Sequence, residues 1–213
     1  LVADTHNHRI RQITSTLPPD YVPPTPNTDE VEIVACTGVA GSICTYLGTG
    51  QKGRNGDGSD RLHTVLYWPF DVEFFSNGRI IFLDWNNHIV REVNADDTIT
   101  TIMGTDFVGD GPPGPALQAD FNHTTNIAFD ATGVMVVAAW HNSRIKKVDL
   151  HTGELPDSCG TGARTYKGDG GPAKDAALDL PASIAFDADD NLFIMDQANQ
   201  VIRKVDPAGT ISR

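Results

Sequence analysis

IFLDWNNHIVREV, residues 81–93, decides the fold, because its pattern occurs four times in the chain. The other copies are LVADTHNHRIRQI at 1–13, VVAAWHNSRIKKV at 136–148 and FIMDQANQVIRKV at 193–205. Aligned without a gap, their fourth column reads Asp4, Asp84, Ala139 and Asp196. Three positions later stand Asn7, Asn87, Asn142 and Asn199, and seven positions later the cations Arg11, Arg91, Lys146 and Arg203. Ile or Val fills the sites six and nine positions after the Asp column. Self-similarity at a fixed period marks a repeat architecture.

The register extends upstream. Pro69, Thr124 and Pro181 each precede the Asp column by fifteen residues. Between them lie FDVEFF, TNIAFD and ASIAFD, then the turn sequences SNGR, ATGV and ADDN, then a second apolar run. That order reads as strand, tight turn, strand. The stretch ending in Asn is a second turn, because Asn tolerates left-handed backbone angles, and the cation-bearing run is a third strand. ADDTITTIMGT and HTGELPDSCGTG then read as a turn followed by a short fourth strand. Four antiparallel strands repeating about every 55 residues predict an all-β fold, a β-propeller of four-stranded blades. Each blade is sandwiched between neighbours, which accounts for continuous apolar runs such as VMVVAAW at 134–140. A helical solenoid is excluded, and PAKDAALDL at 172–180 is the one expected helical turn. A single domain over 1–213 is expected, with a Pro-rich insertion at about 14–30. The chain opens at a second strand and has no initiating Met, so missing upstream sequence is expected. About four blades are visible, as an excerpt of a larger ring.

NHR at 7–9 and NHI at 87–89, each preceded by the Asp column, resemble the NHL repeat. So does GDGGPAKDAALDLPASIAFDADDNLFIMDQANQVIRKVDPAGTIS at 168–212, which is similar to the secreted-type NHL repeats of bacterial and multidomain extracellular proteins. The resemblance covers the chain except about residues 14–42. Ala139 replaces the Asp, and Ser143 and Gln200 replace the His. The resemblance implies a propeller, six-bladed when whole, that serves as a protein- or RNA-binding platform or as an enzyme. Family members include a lyase that cleaves peptidyl-hydroxyglycine and relatives of strictosidine synthase, and a fold does not fix a function.

A net charge of −12 argues against nucleic-acid binding, because an acidic surface repels phosphate backbones. No apolar run is long enough to span a bilayer. A secreted, cell-surface or periplasmic location is expected. The three cysteines, Cys36, Cys44 and Cys159, have no CxxC spacing, so a zinc ribbon is not expected. Cys36 and Cys44 either form a local disulfide or remain partly buried thiols. No nucleophile elbow or phosphate-binding loop occurs.

Gly-Asp-Gly occurs before the second, third and fourth blades, centred on Asp57, Asp110 and Asp169. These loops join one blade to the next and share a face with the DxxN turns. Their glycines supply positive φ for a tight corner that the Asp stabilises. Their carboxylates and carbonyls are also candidate Ca²⁺ ligands. The turn tips vary on a fixed frame, which is how a rigid scaffold carries a site. His6, Trp85, Asn86, Trp140, His141 and Gln197 are therefore the candidate face for a protein or glycan partner, unless each Trp packs beneath the adjacent Gly-rich loop. His63 and His123 precede inner strands and are candidate zinc ligands, whereas His8 and His88 belong to the frame. The Asp column caps the turn that follows it, and the cation column reaches a carboxylate or a neighbouring blade. The Pro-rich insertion is an ordered loop, a docking segment or a contact between subunits, which would allow self-association. The leading expectation is a non-enzymatic interaction propeller. The alternative is a metal-assisted lyase or hydrolase at the channel mouth.

Overall fold

The computed structural model describes residues 1–14, 42–75, 78–155 and 159–213. Most of the Pro-rich insertion and Cys36 lie outside the described residues. The strands form an arc of four blades. The first blade holds β1 (Val2–Asp4), β2 (Arg9–Ile13) and β3 (Ile43–Leu47), paired in that order. The second holds β4 (Pro69–Phe74), β5 (Ile80–Asp84), β6 (Ile89–Val93) and β7 (Ile99–Met103). A short pair follows, β8 (Gly114–Pro115) with β12 (Glu154–Leu155). The third blade is β9 (Thr124–Phe129), β10 (Met135–Ala139) and β11 (Arg144–Val148). The fourth is β13 (Pro181–Phe186), β14 (Leu192–Asp196), β15 (Val201–Val205) and β16 (Ile211–Ser212). All pairings within blades are antiparallel, and no strand pairing among the described residues joins the fourth blade to the first. The architecture is that of a β-propeller.

Strand alternation explains how one blade feeds two cores. On β5, Ile81 and Leu83 enter a cluster with Phe121, Ile127, Met135 and Val137 of the next blade. Phe82, between them, enters a cluster with Ile10, Leu47 and Leu66 on the other side. On β10, Val136 and Ala138 face Ile184, Leu192 and Ile194 of the fourth blade. All of these β5 and β10 residues are fully buried. Burying Phe82 alone contributes about 1.5–3 kcal/mol.

The segment expected as the fourth strand of the third blade lies beside β11 at both ends of its described part: Glu154 bridges to Asp149, just past β11, and Cys159 to Ile145. On its other side β12 pairs with β8, where Leu155 is buried among Ala116, Ala119 and Phe121. One detail differs from the sequence expectation. Helical turns are also found beyond PAKDAALDL. One 3₁₀ turn spans Ala173–Asp175, and its counterpart Ala116–Gln118 lies in the preceding inter-blade loop. Cys44 is disulfide-bonded. Cys159 is a free buried thiol, pushed up to about 12 by that burial, so it is chemically quiet.

Candidate binding face

The repeat columns build the frame of one face. Asp84 Oδ1 accepts the Tyr67 N–H at 2.7 Å, and Asp196 Oδ1 accepts the Asp179 N–H at 2.7 Å. Asn87 donates to Asp84 Oδ2 and to Gly53 O, both at 2.9 Å, tying the turn to the incoming loop. In the third blade the Asp is Ala139, and Asn142 takes its place. Its Oδ1 accepts the Asn122 N–H at 2.9 Å, while its amide donates to Gly109 O at 2.7 Å.

The cation column meets the Gly-Asp-Gly loops. Arg91 lies between Asp57 and Asp84, 3.6 Å from each. Arg203 Nε is 3.1 Å from Asp169, and its Nη1 is 3.8 Å from Asp196. In the third blade Lys146 has one carboxylate, Asp110 at 3.2 Å, and donates to Gly111 O at 2.9 Å. The shorter cation thus accompanies the missing Asp. Arg11 pairs with Asp4 at 3.4 Å. Each of the calcium candidates Asp57, Asp110 and Asp169 is ion-paired to the cation of its own following blade. Among the described residues no three His, Cys, Asp or Glu side chains converge as a metal centre.

The residue after each turn is left-handed: His8, His88, Ser143 and Gln200 have φ between +52° and +58°. So is the residue that enters each inner strand, Trp68, His123 or Leu180. The two columns latch neighbouring blades. Trp68 N–H donates to His8 Nδ1 at 3.2 Å, His123 N–H to His88 Nδ1 at 3.4 Å, and Leu180 N–H to Ser143 Oγ at 3.4 Å. A second latch joins the inner strands. Asp71 Oδ2 accepts the Ile127 N–H, and Asn126 Oδ1 accepts the Ile184 N–H, each at 2.7 Å.

The first latch is pH-sensitive. His8 sits below the ordinary imidazole range because of burial, then Lys52 and His6. The unfolded chain therefore takes up a proton near pH 6.5 that the folded chain refuses, and His8 contributes to a loss of stability as pH falls through that range toward the folded value. Melts at pH 7.5 and 5.0 on the native chain and on His8→Gln check this. The native chain is expected to show the larger drop, and an equal drop in both removes His8 as a contributor.

On this frame stands a continuous band of rings. Trp68 meets His6 of the first blade and Trp85 of its own, both at 5.9 Å between centroids. Phe70 stacks on Trp85 at 6.0 Å. Trp85 meets His123 of the third blade at 4.0 Å, and His123 meets His141 at 4.9 Å. His141 stacks on Trp140 at 4.1 Å. Trp140 Nε1 then donates to Gln197 Oε1 of the fourth blade at 2.9 Å. Five of the six residues expected on the face, His6, Trp85, Trp140, His141 and Gln197, are joined in this way. The sixth, Asn86, donates its backbone N–H to Tyr67 O beside the band. Phe70, His6 and His141 are exposed, and the three tryptophans are half-buried. The Trp85 indole nitrogen has no hydrogen-bond partner among the described residues. Trp68 and Phe70 escape a reading by repeat columns, although Trp68 stands in the position immediately before the Pro69, Thr124 and Pro181 column.

Two imidazoles of the band sit below the ordinary range. His123 is lowered to about 4 by burial, then by His88 and His141. Burial, then Arg164, lowers His141. His63 stands apart from the band, its Nδ1 2.6 Å from Asp60. No helix among the described residues is long and apolar enough to cross a membrane.

No protein-family model matches the chain. Teneurin-1 of Gallus gallus is 25% identical over 167 residues, 70% of this chain and 6% of the teneurin. Teneurin-4 of Homo sapiens is 25% identical over 157 residues, 65% of this chain and 6% of the teneurin. Among solved structures, a structural-genomics protein of unknown function from Bacteroides thetaiotaomicron superposes with a TM-score of 0.56 at 17% identity, over 64% of this chain and 34% of its own. An auxiliary nutrient binding protein from the same organism gives 0.53 at 17% identity, over 63% and 36%. The chain spans 6% of these curated relatives and about a third of these solved chains. At these identities the likeness to the solved structures is one of fold.

Proposed function

We propose that the chain is an NHL-type interaction propeller whose aromatic face binds a protein or glycan partner without catalysis. The observation that carries this is the ring band, continuous over three blades from His6 to Trp140. Aromatic rings offer large contact area with little side-chain entropy to lose, and they stack on apolar faces of sugars or peptides. The histidines, Asn86 and Gln197 supply polar groups around them. The likeness to a nutrient binding protein is compatible with such a role. A secreted or cell-surface setting accords with the disulfide at Cys44, because disulfides persist in oxidising compartments. The enzymatic alternative pairs His63 with His123 around zinc. Asp60 engages the first of these, and only the second belongs to the ring band, so the binding role is the better supported.

Screening the chain on a glycan array and a displayed peptide library tests this. Phe70→Ala and Trp140→Ala are each expected to weaken a captured ligand about 30-fold, a hot-spot loss of about 2 kcal/mol. Unchanged affinity in both variants would place binding elsewhere and remove the ring band from the function.

A further inference from the structure

Three lone-pair atoms crowd together at the centre of the band. His123 Nδ1 is 3.0 Å from His141 Nδ1, and Asn122 Oδ1 is 2.8 Å from the first and 3.2 Å from the second. With the Asn122 oxygen turned toward the rings, hydrogen bonding leaves at least one contact of this triangle unsatisfied. The amide oxygen only accepts. If one imidazole carries its proton on Nδ1, it can donate to the oxygen or to the other ring, but the second ring then sets a lone pair against the oxygen. If both carry it, two N–H groups face each other.

A metal ion resolves all three contacts at once. We infer that Asn122 Oδ1, His123 Nδ1 and His141 Nδ1 form a surface site for a divalent first-row transition metal such as Zn²⁺. A triangle with these sides has a circumradius of about 1.7 Å, so an ion at the roughly 2.0–2.1 Å typical of Zn–N and Zn–O bonds sits about 1 Å above its plane. Near-right angles at the ion leave its outer positions to water or to a ligand on the face. Imidazole suits zinc, copper and nickel, and the neutral oxygen completes a facial set of three. The backbone N–H of every member is held by a hydrogen bond. Asn122 N–H donates to Asn142 Oδ1, His141 N–H to Asn122 O, and His123 N–H to His88 Nδ1. With Nδ1 as ligand, each ring carries its proton on Nε2. The site differs from a His63–His123 pair, and it does not depend on the proposed binding function.

Calorimetric titration of the chelator-treated chain with ZnCl₂ tests it, alongside quenching of tryptophan fluorescence by CuCl₂, because Trp85 and Trp140 lie against the two ligating rings. One zinc per chain with micromolar affinity and strong copper quenching are expected. His141→Gln, at an exposed position, is expected to weaken zinc at least tenfold, and Asn122→Asp to tighten it about tenfold by adding charge to the oxygen ligand. His63→Ala is expected to change nothing. Thermal melts confirm that each variant folds, and the opposite signs of His141→Gln and Asn122→Asp separate ligand loss from damage. Absence of zinc heat in the native chain overturns the site, as does zinc binding that is indifferent to both variants or lost in His63→Ala.

Discussion

Asp84→Ala is expected to cost about 3–5 kcal/mol of folding stability, the range for stripping one partner from a buried ion pair. Arg91 and Asp84 are both fully buried. Burial pushes the Asp84 carboxyl up to about 6, against the pull of the Tyr67 N–H, Asn87 and Arg91, so it is ionised at neutral pH. Arg91 Nε and Nη1 have no hydrogen-bond partner among the described residues and Nη2 donates to Asn55 O at 3.5 Å, so its counter-charges are Asp57 and Asp84, each at 3.6 Å. Removing Asp84 leaves a buried cation with one half-exposed carboxylate, an unpaired Tyr67 N–H and a turn whose Asn87 keeps only Gly53 O. Against a typical stability of about 5–15 kcal/mol this is a large fraction. Urea denaturation measures it. Asp84→Asn keeps an acceptor for the Tyr67 N–H and is expected to fall between the alanine variant and the native chain. A loss under about 1 kcal/mol in Asp84→Ala would mean that Arg91 finds its counter-charge elsewhere.

The third blade shows why that residue is dispensable in one place and not in another, and it marks how far the sequence is legible. The columns of Asp, Asn and cation are visible by alignment because each repeats the same bond. Their convergence is not, because the Gly-Asp-Gly aspartates and the cations lie 34 to 36 residues apart and meet only when a loop folds over the next blade. Ala139 looks like a lost function in the sequence. In the structure Asn142 accepts the Asn122 N–H instead, and Lys146 needs only Asp110. The turn tips His6, Trp85, Trp140, His141 and Gln197 could be selected because they vary on a constant frame. Trp68 and His123 could not be assigned to the same band. They share with Leu180 only a positive φ, and three unrelated side chains carry no common sequence signal for it.

The Gly-Thr pairs at 48–49, 104–105 and 160–161 make the same point about columns, and they set the second large effect. Each glycine closes its blade beneath the left-handed residue after the turn. Gly104 has φ +97°, and a Cβ there would lie 2.4 Å from His88 O and 3.0 Å from Ile89 Cα. Gly48 would meet His8 O at 2.7 Å and Gly160 would meet Ser143 O at 3.0 Å. These neighbours are backbone, and His88 is held in turn by its latch to His123, so neither side can give way cheaply. Gly104→Ala is therefore expected to cost about 3 kcal/mol or more, combining left-handed strain with a backbone collision. Gly209→Ala is the control, because its φ is +83° but nothing lies within 4 Å of the added carbon. It isolates the strain alone, about 1–2 kcal/mol. The expected order of loss is Gly104, Gly48, Gly160, then Gly209, read as midpoint shifts in urea at constant slope. If Gly104→Ala is no worse than Gly209→Ala, the blades can separate enough to admit a methyl group. The turn, the latch and the closing glycine would then act independently.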